Sequence, residues 1–287
     1  MLTLLFDGIA YGMLLYVLAV GLAVTLGLMN FINLAHGAFA MAGGYITVLA
    51  MNRLGMPFLA CLPLAFFGAA LLGAVLEPLL YRRLYRKPHL DQVLFSIGLV
   101  FMSVTTADYL VGSMQQNIAL PAWLQGRFDI EWIGIGKYRL FIIIVCALLA
   151  IGLQWALSRT RFGSQLRASV DDPRVASGLG LNVGRIFLAT FAVGSGLAGL
   201  GGALGAEVLG LDPTFPLKFM IYFLIVCSVG GTTTITGPLL AALLLGIADV
   251  AGKYYVPKLG SFVVYTLMIL ILLVRPQGLF ARAGGGK

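Results

Sequence analysis

The sequence predicts an all-α fold, a polytopic transmembrane helical bundle with broken or re-entrant segments, and two observations carry that expectation. Of 287 residues, 60% are hydrophobic and only 10% charged, against roughly 25% charged in a typical soluble domain. A water-soluble surface of this size lacks the polar residues to cover it. The apolar residues also run in long stretches with no ten-residue alternation. Backbone groups in hydrocarbon must be satisfied internally, which leaves helices or closed barrels, and the missing alternation excludes a barrel. The chain reads as one transmembrane domain over residues 1–287 in a lipid bilayer. No basic region precedes the first apolar segment and there is no small-residue cleavage site, so that segment is expected to be retained.

A span needs about 20 apolar residues. Nine stretches qualify as candidates: 6–28, 29–51, 57–80, 92–112, 139–158, 185–206, 217–231, 237–252 and 259–275. The second contains Asn30, Asn33 and His36 and follows the first almost without a break. The seventh and eighth are short and joined by the helix-poor run GGTTTITGP at 230–238. Tight hairpins or broken half-helices are expected at both places. Lys and Arg concentrate in 81–89, in 159–185 and in the tail from Arg275, which together hold 12 of the 19 basic residues. Those segments, the C-terminus included, are therefore assigned to the cytoplasmic side of the cell's inner membrane. The nearly neutral loop 113–138, with Trp123 and Trp132, belongs outside. The first 52 residues hold no Lys or Arg, so charge leaves the side of the N-terminus open.

The net charge of +8 follows from this bias and does not indicate nucleic-acid binding. Cys61, Cys146 and Cys227 each lie inside an apolar run and read as small hydrophobes. The two histidines, His36 and His89, have no thiolate or carboxylate at ligand spacing, so no metal site is expected, nor any cofactor. No GxxxxGK[ST] occurs, so the chain itself is not expected to hydrolyse ATP. No catalytic Ser/His/acid or HExxH set is present either. A GxGxxG at 194–199 lacks the preceding strand that a dinucleotide site requires.

Two groups of residues remain as candidates for function. Asn30, Asn33 and Gly37 are spaced by three and four, so they are expected to share one helix face. Polar groups at bilayer depth must face protein or water, so with His36 they either stitch helices together or line a pathway. At the second break, Gly230, Gly231, Thr233, Gly237 and Pro238 form either a hairpin turn or half-helix ends able to bind a polar solute. Gly201 and Gly205 form a GxxxG for close helix packing, flanked by the wider series Gly194, Ala198, Gly202 and Ala206. The loop 159–184 is the most informative soluble stretch. Gly163 to Val170 suits two helical turns. Asp172 then caps a helix that opens on Pro173 and stops at Gly180. Leu166, Val170, Val175 and Leu179 are expected to act as apolar knobs beside Arg167 and Arg174, which suits a docking element; a solvated linker that follows the positive-inside bias is the alternative.

From about residue 8 to 280 the sequence resembles the permeases of branched-chain amino acid ATP-binding-cassette importers, at a length that fits the shorter of the two permeases in such systems. The resemblance rests on GLMNFINLAHG at 27–37, EPLLYRR at 77–83 with Lys87-Pro88, and TRFGSQLRA at 160–168. Asp171, Ala176 and Gly178 to Asn182 extend it, with Gly230-Gly231, Gly237-Pro238 and VRPQGL at 274–279. At Thr233 the sequence departs from the family's commoner Gly-Gly-x-Gly. The resemblance implies a second homologous permease subunit, two cytosolic ATP-binding subunits and an extracytoplasmic solute-binding protein as partners. It also implies an ATPase-coupling role for the segment of Gly163, Leu166, Arg167, Asp171, Asp172, Arg174, Ala176 and Gly178. Related permeases carry urea or short amides, and a stand-alone channel or secondary transporter for a small polar solute is the alternative class.

Overall fold

The computed structural model describes residues 1–29, 31–85, 87–130, 133–231, 236–275 and 278–279. Its helices run in the order α1 (Leu2–Met29), α2 (His36–Leu54), α3 (Phe58–Leu79), α4 (His89–Val111), α5 (Lys137–Arg159), α6 (Arg161–Asp171), α7 (Pro173–Gly178), α8 (Val183–Leu209), α9 (Phe215–Gly230), α10 (Thr236–Tyr255) and α11 (Gly260–Val274). Each of the nine expected stretches returns as a helix. Six described helices, α1, α3, α4, α5, α8 and α10, are long and apolar enough to cross a membrane. The chain is a multi-pass, all-α membrane protein.

α1 and α8 form the buried centre, and small residues set how close their neighbours come. Gly201 of α8 lies against Leu18 of α1, where a Cβ would sit 2.9 Å from Leu18 Cδ2, and Gly205 faces Leu14 at 3.6 Å. The tightest approaches are elsewhere on α8: Gly202 abuts the Ala40 carbonyl of α2, and Gly199 abuts Gly43 of α2 and Ala69 of α3. On the other side of α1, Gly12 would place a Cβ 2.7 Å from the Ala242 carbonyl of α10. Lipid is as apolar as leucine, so backbone approach and dispersion hold such helices together rather than hydrophobic burial. Large apolar side chains of α3, α4 and α5, such as Phe67, Phe101 and Leu148, stay exposed on the outside.

Both ends of the bundle are marked by specific contacts. Asp7 near the start of α1 pairs with Arg139 at the start of α5, and the Tyr138 hydroxyl donates to the Leu204 carbonyl at 2.6 Å. At the other end, the Tyr81 ring packs on Phe191 with centroids 4.6 Å apart, and Arg82 donates to the Gly184 carbonyl. The N-terminus therefore shares an end with the 113–138 segment, opposite the basic segments. The 113–138 segment holds a feature outside the all-helical expectation, a hairpin of β1 (Arg127–Ile130) and β2 (Ile133–Gly136) pairing antiparallel from Arg127↔Gly136 to Ile130↔Ile133. Trp132 lies outside the described residues.

Candidate functional site

The break expected in the 29–51 stretch is present, and it undoes the shared helix face expected of its polar residues. α1 ends at Met29 and α2 begins only at His36, so Asn33 lies in a non-helical link and does not share a helix face with Gly37. The physical reason is local: the Asn33 Oδ1 accepts from the Ala35 backbone N–H at 3.1 Å. That bond offers the chain an alternative to the helical ladder. Asn30 lies outside the described residues. The link is held by further polar contacts. Phe31 N donates to the Thr25 carbonyl at 3.3 Å, and Ile32 N donates to Gln92 Oε1 at 3.1 Å. Gln92, 2% exposed, also donates to the carbonyls of Leu84 and Lys87, so it joins the link to the basic turn after α3. His36 is fully enclosed, its Nε2 3.1 Å from the Leu18 carbonyl of α1. Gly37 lies against Pro216 of α9, where a Cβ would be 3.0 Å from Cα.

The second break lies beside the first. Cys227, three residues before the end of α9, approaches the Ala19 carbonyl at 3.9 Å, next to the carbonyl that meets His36. Ala19 is about 15 Å of helix back from Met29 at 1.5 Å per residue, so α9 ends within the bundle. Gly230, Gly231, Gly237 and Pro238 are all buried, and Gly230 packs so closely on Pro238 that a Cβ would lie 2.5 Å from its nitrogen. The chain after α11 returns to this point: Leu279 N donates to the Val229 carbonyl at 2.8 Å. Gly278, at φ +90°, fits against Gly231. Thr233 lies outside the described residues.

The segment after α5 folds as two short helices at the basic end. Thr160 caps α6, and the Asp172 carboxylate caps α7 by accepting from Arg174 N at 2.8 Å and Val175 N at 3.0 Å. Pro173 opens α7, which ends at Gly178, with Gly180 at φ +86°. The expected knobs divide into two sets. Leu166 is fully buried with Val24, Leu157 and Ile186, so it anchors α6 to the bundle and is not offered to a partner. Gly163 abuts the Leu157 carbonyl, and the Arg167 guanidinium donates to that same oxygen. Residues 163 and 166 are spaced to share one helix face, and here that face turns inward. Ala176 is also buried, at 2%. Asp171, Asp172, Arg174 and Gly178 are exposed, and Val175 and Leu179 are 58% and 77% exposed. The carboxylate of Glu77, with no side-chain exposure, meets Arg82 at 3.4 Å, and Arg82 reaches Gly184 just beyond α7. Local sequence carries no signal for two of these contacts: Gln92 meets Ile32 across 60 residues and Arg82 meets Gly184 across 102.

Residues 4–272 match the family model described as branched-chain amino acid transport system / permease component. The chain is 30% identical to the high-affinity branched-chain amino acid transport system permease protein BraD of Pseudomonas aeruginosa, over 97% of this chain and 95% of that one. It is 27% identical to the permease protein LivH of the corresponding Salmonella typhimurium system, over 97% and 94%. A second permease of that bacterium, LivM, is 28% identical over 93% of this chain and 68% of its own. No solved structure matches. With a family match across nearly its whole length, the chain belongs to the permease components of branched-chain amino acid transport systems.

Proposed function

We propose that the chain is the membrane-spanning subunit of an ATP-binding-cassette importer for branched-chain, hydrophobic amino acids. It pairs with a second homologous permease and receives solute from an extracytoplasmic binding protein. ATP hydrolysis belongs to two cytosolic subunits, and this chain is not itself an enzyme. Its basic end, with the C-terminus, lies in the cytoplasm. Asn30, Asn33, His36, Gly37 and the 230–238 break line or support the path. Their support is position: one contact from each break reaches adjacent carbonyls of α1, Leu18 and Ala19, inside the bundle. That Salmonella typhimurium has two relatives of this chain, LivH and LivM, supports a two-permease assembly.

The observation that carries coupling is α7, a helix capped by Asp172 at the basic end, which with the residue that follows it leaves Val175 and Leu179 exposed to solvent. Its inner face rests on buried Ala176, whose N–H donates to the Asp172 carbonyl at 2.9 Å. Proline at 176 removes that donor and clashes with the preceding turn, a change of roughly 3 kcal/mol in a helix interior. Ala176→Pro is expected to give an inserted protein that loses either the co-purifying ATPase or solute-stimulated hydrolysis in reconstituted complexes. Wild-type levels of both would reduce 163–180 to a linker.

A further inference from the structure

At the outer end of the bundle, a cavity of about 460 Å³ opens between α1, α5, α8, α9 and α10. That is within the roughly 300–1,000 Å³ of small-molecule sites. Its lining combines three cations, Arg139, Lys218 and Lys253, with two carboxylates, Asp7 and Asp249. Asp249 is the unusual member. It lies inside α10 with a side chain only 2% exposed, and Lys253 neutralises it through Oδ2 at 2.6 Å. Its Oδ1 is buried and makes no hydrogen bond of good geometry among the described residues, with the Tyr222 hydroxyl standing close to the same carboxylate. A carboxylate inside a membrane span is costly, and such groups mark solute paths. The cavity also has an ammonium-binding wall: Lys253 Nζ stands 5.7 Å over the Tyr11 ring, and Tyr222 also lines the space. The faces of such rings attract cations. Leu14, Ile142, Val208 and Val250 supply an apolar side. A neighbouring cavity shares Asp7, Arg139 and Val208 and runs out to the β1–β2 hairpin, so the space opens toward the outer surface.

We propose that this cavity is an entry site for the zwitterionic amino acid, with Asp249 Oδ1 and Tyr11 receiving the α-ammonium and Lys218 the α-carboxylate, while the branched side chain lies on Val208 and Val250. The proposal rests on the importer reading and adds to it a place and a charge pattern for the solute. A neutral solute such as urea leaves the spare carboxylate oxygen without a cation. A plain carboxylate or a plain amine satisfies one end only.

The test uses the assembled complex in lipid without its binding protein, with Val208→Cys reporting occupancy. Cys61, Cys146 and Cys227 are buried, so methyl methanethiosulfonate should modify the new thiol selectively. Saturating L-leucine is expected to slow that reaction by about tenfold or more. Adding Asp249→Asn should raise the half-protecting leucine concentration by about tenfold, the loss of a charged hydrogen bond. Isopentylamine and 4-methylpentanoate, each lacking one charged group, should protect far less. Failure of leucine to protect, or equal protection after Asp249→Asn, overturns the site, and equal protection by either analogue overturns the zwitterion. If Asp249→Asn does not assemble, Lys218→Gln carries the test. Lys218 also pairs with Asp212, so Asp212→Asn, which breaks that pair and keeps the Lys218 charge, is the control; unchanged protection in Lys218→Gln, or equal loss in Asp212→Asn, overturns the assignment. Leucine uptake by the complete wild-type system separates the two readings. Uptake without protection sinks the site alone, and protection without uptake sinks the importer alone.

Discussion

At the break between α1 and α2, side chains supply the hydrogen bonds that the helix ladder no longer makes: Asn33 to Ala35 N, Gln92 to Ile32 N and His36 to the Leu18 carbonyl. At the break between α9 and α10, the described contacts are made by backbone and small residues. Gly230 touches Pro238, Gly278 touches Gly231, and Leu279 N caps the Val229 carbonyl. Helix ends inside a membrane need such partners in either case. The difference is in what each site tolerates. A break held by polar side chains is sensitive to loss of an acceptor, whereas one held by backbone approach is sensitive to added volume.

The largest effect is therefore expected from one methyl at the second break. Gly230→Ala places a carbon 2.5 Å from Pro238 N and 2.6 Å from Pro238 Cα, and neither is the end of a flexible side chain. Overpacking of this kind costs roughly 1–3 kcal/mol, and α9 must move away from α10 to relieve it. Uptake should fall to a small fraction of wild type with a lowered Tm in detergent. A Gly230→Ala protein with unchanged Tm and uptake would remove the distinction between the breaks.

Asn33→Leu comes next. It deletes the acceptor for Ala35 N, an interaction of about 0.5–1.5 kcal/mol, while adding no comparable volume. Transport should drop while insertion and assembly persist, and Asn33→Asp, which keeps the acceptor, should retain more activity. Normal uptake in both Asn30→Leu and Asn33→Leu would exclude these residues from the path and from essential packing. Smaller again is Asp172→Ala, which removes the α7 cap at about 0.5–2 kcal/mol in a solvent-exposed turn. It should weaken co-purification of the ATPase without abolishing it, and full retention at high and low salt would show that the cap is dispensable.

How much of this was legible in the sequence follows the range of the interactions. Asp172-Pro173 and Gly180 bracket α7 because caps act over three or four residues. The Gly-rich run at 230–238 announced a break for the same reason. Spacing placed Gly163 and Leu166 on one face but could not say what covers it, and Leu166 turned inward onto Val24 and Ile186. The three-and-four spacing of Asn30, Asn33 and Gly37 misled because it presumes an unbroken helix, while the asparagine side chain itself competes for the backbone. Gln92 looked like one polar residue at the start of α4, since its partner at Ile32 is 60 positions away. In the sequence Asp249 is only a carboxylate in an apolar run; the cavity it lines comes from five helices meeting. The β1–β2 hairpin was too short for alternation to register.

The outer end of α9 allows the smallest of these tests, because there a side-chain charge does what backbone approach does at the inner end. Asp212 precedes α9 and accepts from Thr214 N at 2.8 Å, from the Thr214 hydroxyl and from Lys218. Burial pushes its carboxyl upward, but the hydrogen bonds from Lys218 and Thr214 outweigh that and hold it below the usual aspartate range. A group depressed in the folded state adds stability that is complete above its unfolded value, near 4. That stability is lost as pH falls through the lower folded value. The start of α9 should therefore loosen only in strongly acidic buffer, below about pH 4, while the Gly230–Pro238 contact, which has no titrating group, does not respond. Hydrogen exchange of the α9 amides at pH 7 and at pH 3, corrected for intrinsic rates, should show added opening near Phe215 and none near Val229. Asp212→Asn should abolish the difference between the two pH values. If the inner end opens with acid as much as the outer, or if Asp212→Asn leaves the acid response intact, the charge at Asp212 does not hold α9, and the contrast between its two ends has another origin.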